Sequence, residues 1–149
     1  MRRLLAFDDW ANGQVMRALV PLDGAPPAAV ALMAHVMAAK RIWFARVTLG
    51  TPPFTVHPDL TLPAIVEHLR LAHEEWLRYL DDLTDADLER EVHYATMRGD
   101  RFSNTLGDIL THLGLHGQHH RGQCCTAIRA AGAVPPGIDF ITAARTGAV

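Results

Sequence analysis

LTHLGLHGQHHRGQCC (Leu110–Cys125) holds four of the chain's nine histidines, His112, His116, His119 and His120, and no carboxylate. An α-helix advances about 100° per residue. With His112 set at zero, Leu106, Ile109, Leu110, Leu113, Cys124, Ala127, Ile128 and Ala131 fall within roughly 60° to 160°, one apolar face. The spacing predicts a helix that starts at Thr105, where Thr105 and Asp108 have the form of a capping box, and runs to about Ala131. On this wheel His120 falls inside the apolar arc, at about 80°, and His116 at its edge, at about 40°. His112 and His119 project near 0° and about −20°, on the border with solvent. Gly117, at about 140°, leaves room for a neighbouring helix or a ligand.

Outward from this helix, glycine and proline gather at GAPP (Gly24 to Pro27), GTPP (Gly50 to Pro53), RGD (Arg98 to Asp100) and VPPG (Val134 to Gly137), with long patterned segments between them. Leu4, Phe7, Ala11, Val15 and Leu19 recur at three and four residues, so a helix is expected over about 3–19. A second, over about 28–49, has proline at its start and glycine at its end and is apolar almost all round, which makes it central. A third, over about 62–83, carries Ile65, Leu69, Leu71, Ala72, Trp76 and Leu80 on one side. EVHYATMRGDRFS alternates at Val92 and Tyr94 and turns at Gly99, which allows a short hairpin before the last helix. The tail GIDFITAARTG is expected to add one short helical turn. These elements describe an all-α chain, one four-helix bundle domain over residues 1–149.

Composition narrows the function. The chain has 149 residues, 49% hydrophobic and 20% charged, enough for one buried core. Acidic and basic residues are interspersed at a net charge of −2, which lacks the basic face that a nucleic-acid partner needs. Uninterrupted apolar runs stay short of the roughly 20 residues that span a bilayer, and MRRLLAFDDW turns acidic too early for a signal peptide. The only cysteines, Cys124 and Cys125, are adjacent and poorly placed to bridge each other. A cytoplasmic protein without a membrane partner is expected, with Cys124 serving as packing.

His116 and His120, at i and i+4, project to one side of the helix, the spacing two metal ligands need. The competing reading is a pair of ordinary surface or core histidines. Two neighbouring buried imidazoles without a carboxylate are costly unless bonded, however, and one metal would satisfy both. A third ligand is needed. His57 in its proline-bounded loop and His93 in the hairpin are poorly placed, and His68 and His73 share a charged face with Glu67, Glu74 and Glu75. His35 lies within LMAHVMAAKRIWF, where an imidazole is hardest to hydrate, and is the first choice; a core histidine bonded to a backbone carbonyl is the alternative.

FDDWAN (Phe7 to Asn12), AHVMAAKRIWFARV (Ala34 to Val47) and HGQHHRGQ (His116 to Gln123) together resemble the DinB family, the DinB/YfiT-like metalloenzymes, along nearly the whole chain. The resemblance implies an up-down-down-up four-helix bundle, commonly a homodimer, with a divalent metal held by His35, His116 and His120. Arg121, Gly122 and Gln123 fall on the family's R-G-Q, for which Gln123 bonding a neighbouring helix is the plain structural reading. Nitrogen ligands suit zinc or nickel. The resemblance further implies transfer chemistry in which a low-molecular-weight thiol is the cosubstrate for a small-molecule substrate. A metal-dependent hydrolase and a non-catalytic, metal-binding dimeric stress-response protein are the alternatives. Catalytic residues are left open, with Glu67, Glu74, Glu75 and Tyr94 all available as a general base.

Overall fold

A computed structural model describes residues 1–149. The chain is mostly helical: α1 (Arg2–Leu19), α2 (Pro27–Val47), α3 (Leu62–Asp81), a 3₁₀ turn at Asp85–Glu89, a hairpin of β1 (Glu91–Ala95) and β2 (Arg101–Thr105), then α4 (Leu106–Ala130) and α5 (Phe140–Arg145). The long helices meet in a ring, α1 and α2 each packing against both α3 and α4.

Most of each predicted stripe is buried, while Leu4, Leu71 and Ala127 are half-buried and Ala131 is exposed. In α1, Phe7, Ala11, Val15 and Leu19 are buried, together with two polar residues outside the stripe, Asp8 and Asn12. Proline opens α2, where its missing N–H costs nothing. This helix ends earlier than expected: Leu49, not Gly50, takes the left-handed conformation (φ 58°), and the Gly50 N–H returns to the Ala45 carbonyl at 2.7 Å. By length and composition α2 is the one helix that could cross a membrane. Here eleven of its residues are buried, Lys40 among them, so its apolar character is accounted for by packing between α3 and α4.

The hairpin forms in the region its alternation marks, pairing Val92 with Asn104 and Tyr94 with Phe102 in antiparallel register. Gly99 supplies the positive φ of the turn, 91°. Val92 is buried against Leu106, Ile109 and Trp76, which docks the hairpin on the start of α4. At that start the Thr105 hydroxyl accepts the Asp108 N–H at 3.1 Å, the threonine half of the expected box. The tail forms α5, whose Phe140 meets the Phe7 ring edge-on at 5.2 Å.

One group of charges lies inside. Asp8 accepts Arg121 Nη1 on Oδ1 and Lys40 Nζ on Oδ2, each at 2.5 Å. Asn12 donates to Asp8 Oδ2 at 3.2 Å and accepts from Arg121 Nη1 at 2.8 Å. All four residues are at most 2% exposed, and they join α1, α2 and α4. Burial alone would raise the Asp8 pKa, but the two cations and their hydrogen bonds hold it below the usual carboxylate value. Gly117 is therefore not a gap for a ligand. A Cβ there would overlap Asp8 Oδ1 and stand 2.7 Å from Arg121 Nη1, so the bare backbone makes room for this ion pair.

Candidate metal centre

α2 presents His35 toward α4, where His116 and His120 sit one turn apart, and one ring nitrogen from each of the three lies within 4.8 Å of the others. His35 Nε2 and His116 Nε2 are 3.0 Å apart. Two ligands about 2.0–2.1 Å from one tetrahedral ion would be separated by about 3.3–3.4 Å, so little movement is needed to share a metal. The cluster is half-buried at all three positions rather than enclosed in the core, and one side of it opens to solvent. His112 and His119 are exposed, as the wheel indicates.

The hydrogen bonds around the rings fix their tautomers. His35 Nδ1 is 2.8 Å from the Val56 carbonyl. A carbonyl only accepts, so Nδ1 carries the proton and Nε2 keeps its lone pair for the cluster. The two readings of His35, carbonyl-bonded histidine and ligand, thus describe its two nitrogens. His120 Nδ1 donates in the same way to Gln123 Oε1 at 2.7 Å. Gln123 accordingly bonds within its own helix and not across to another. These are the outer contacts that orient metal-ligating imidazoles.

The electrostatics favour the neutral form of His35 and His116. Burial lowers the His35 pKa, opposed by the Val56 carbonyl and reinforced by His120 and His57. His116 is pushed down to about 4, first by burial and then by His120, His35 and His112. Each proton added would repel the others, whereas a metal needs all three lone pairs. The donor set and its surroundings therefore fit a divalent ion.

The remaining histidines lie elsewhere. His57 is exposed but stacks on His35 with ring centroids 4.6 Å apart, so its loop covers one face of the cluster without joining it. His93 is exposed beside Glu91. His68 packs against Phe54, and His73 lies 3.7 Å from Asp9; both are half-buried, not on a fully solvated face. Of the carboxylates available as a base, Glu67 and Glu74 bind Arg70, and Glu75 binds Arg41. The Tyr94 hydroxyl donates to Asn104 Oδ1 at 2.8 Å. Cys124 is buried and raised to about 12 by that burial, and burial also raises Cys125. Neither is a ready nucleophile. The i+3 spacing from His120 to Gln123 was a readable sign of the outer contact; nothing in TVHPDL marked Val56 or His57 as one.

Fold and site together describe a mostly helical protein whose clustered histidines are able to hold a metal. A family model of the DinB superfamily matches residues 18–124, which include all three histidines, and the chain belongs to that superfamily. It is also similar to the crystal structure of a DinB-like protein from Bacillus cereus ATCC 10987, with TM-score 0.57 and 19% identity over 86% of this chain and 90% of that one. At that identity the likeness speaks for the fold. No curated protein matches the chain.

Proposed function

We propose that this chain is a metal-dependent thiol transferase in which His35, His116 and His120 hold a zinc or nickel ion. A divalent ion held by three neutral imidazoles keeps its full charge and an open position, and would supply the Lewis acidity that favours the thiolate of a bound thiol. The observation that carries this reading is a three-histidine cluster with no activated protein nucleophile beside it: Cys124 is raised to about 12 and packed in the core. The attacking sulfur then belongs to a low-molecular-weight cosubstrate. Its thiolate forms a carbon–sulfur bond with the electrophile, and the leaving group departs with the bonding pair and takes up the thiol's proton.

The chain's own part is to hold and orient. Val56 and Gln123 keep His35 and His120 in the tautomer that offers Nε2, and His57 covers the face of His35. We further read the four long helices as one up-down-down-up bundle, supported by the ring of contacts, that acts in the cytoplasm as a homodimer. Light scattering of the purified chain tests the dimer. The enzymatic reading is tested by assaying an aryl halide with a panel of small thiols, with and without zinc or nickel. Conjugation that requires both thiol and metal is expected. Turnover of esters or amides without thiol would establish a hydrolase instead, and inertness in every arm would leave a metal-binding structural role.

A further inference from the structure

We propose that the cavity walled by Trp43, Tyr94, Asn104, Asp108, Ile109 and His112, about 280 Å³ in volume, receives the electrophilic substrate and takes a flat, uncharged group bearing an N–H. The assignment of this occupant to the electrophile rests on reading the three histidines as a metal centre.

The cavity lies beside the cluster, with His112 between them. His112 precedes His116 by one turn of α4, with ring centroids 5.3 Å apart, and its ring meets Trp43 edge-on at 5.6 Å. Trp43 lies two turns beyond His35 on α2, so the same two helices that bring the imidazoles together continue into the cavity. The hairpin completes it. Tyr94 comes from β1 and Asn104 from β2, joined by their hydrogen bond, and Trp43 meets Tyr94 edge-on at 4.8 Å. At about 30 Å³ per water, the space equals roughly nine waters, room for one substituted ring.

The charges select what fits. Asp108 uses its backbone N–H to cap α4, but its carboxylate forms no ion pair or hydrogen bond with the rest of the chain. It offers acceptors to a donor in the cavity and repels an anion. Arg46 stacks over both aromatic walls, 4.5 Å from the Trp43 ring centre and 4.9 Å from that of Tyr94. The guanidinium already supplies the cation those rings attract, and it opposes a second one nearby. What remains favourable is stacking on the aromatic walls by a neutral planar group whose N–H meets Asp108.

The test uses the full chain and small rigid probes, benzamide and aniline, against benzylamine (cationic), benzoate (anionic) and cyclohexanecarboxamide (not flat), with binding read by calorimetry and ligand-observed NMR. Benzamide and aniline are expected to bind best, and Asp108→Asn and Trp43→Leu to weaken each by roughly tenfold without changing bound zinc. Asp108 is exposed, so Asp108→Asn keeps the test alive if Trp43→Leu folds poorly. Equal or tighter binding of benzylamine, benzoate or the non-planar amide overturns the proposal, as does no binding, or binding indifferent to both variants. Metal analysis of the same samples separates the two readings. A chain that binds benzamide through Trp43 and Asp108 but takes up no metal keeps the cavity and loses the metal centre; one that binds metal but none of the probes does the reverse.

Discussion

Nε2 of His35 lies 3.0 Å from Nε2 of His116, although the two residues are 81 positions apart in the chain. Both His35 and His120 have committed their Nδ1 protons elsewhere, so their free nitrogens converge as bases with a shared need for a cation or a proton. Alanine at His35, His116 or His120 is expected to abolish stoichiometric binding of zinc or nickel, while alanine at His112 or His119 leaves it intact. Metal analysis after gel filtration decides this, and the opposite pattern would remove the site.

Gln123 touches no metal position but holds His120. Gln123→Ala should weaken metal affinity by about 10–100-fold, the usual cost of losing such an outer partner. Competition against a chromophoric chelator measures it. An unchanged affinity would mean that the His120 ring is positioned without help.

The His116 pKa of about 4, against 6.5 for an ordinary histidine, links the site to stability. Between these values the unfolded chain binds more protons than the folded one, so folding weakens as pH falls. The metal-free chain should keep the full contribution of His116 above pH 6.5, lose it progressively as pH falls toward 4, and change little further below that. An NMR titration of the His116 ring should find it neutral through pH 6. A midpoint at its ordinary value would contradict the burial described.

Removing the charge of Asp8 strands Lys40 and Arg121, both 2% exposed or less. Asp8→Asn should cost about 3–5 kcal/mol in denaturant unfolding. Replacing all three charges by Leu or Met of similar volume should recover most of that loss, since a buried pair stabilises little compared with apolar packing. Failure of the triple replacement to improve on Asp8→Asn would show that the charges do more than balance one another.

Two glycines of α4 should respond in opposite directions. Gly117→Ala drives a methyl into Asp8 and Arg121 and should destabilise by about 1–3 kcal/mol. A Cβ on Gly122 meets nothing within 4 Å, so Gly122→Ala should stabilise by up to about 1 kcal/mol through helix propensity. Thermal unfolding of the two variants compares them directly.

Periodicity made the long helices legible, because Val15, Ile65 and Ile128 are buried for no reason but their apolar side chains. The same wheel separated His116 and His120 from His112 and His119, and the apolar surroundings of His35 set it apart from His57 and His93. It could not see Asp8. Nothing in the spacing of FDDWAN marks either aspartate as interior, and only the arrival of Lys40 and Arg121 from distant helices makes Asp8 so. Gly117 does make room for a neighbouring helix, one of the two occupants the wheel allows, but the wheel could not show that Asp8 and Arg121 rather than a ligand take the space. Spacing also overstated the enclosure of His120, which shares its half-buried rim with His35 and His116. Val56 contributes through its backbone, to which its side chain gives no clue.

The buried charges also set alignment. Lys40 follows His35 by five residues on α2, and Arg121 immediately follows His120 on α4, so Asp8 grips the same two helices that carry the imidazoles. An axial slip of either helix by one turn, about 5.4 Å, would tear a cation from its only counter-ion inside the protein. Asp8 thus works as a dowel. It keeps the His35 and His116 nitrogens in register before any ion arrives, so that loading or exchanging a metal would ask the chain for side-chain adjustment and no sliding of helices.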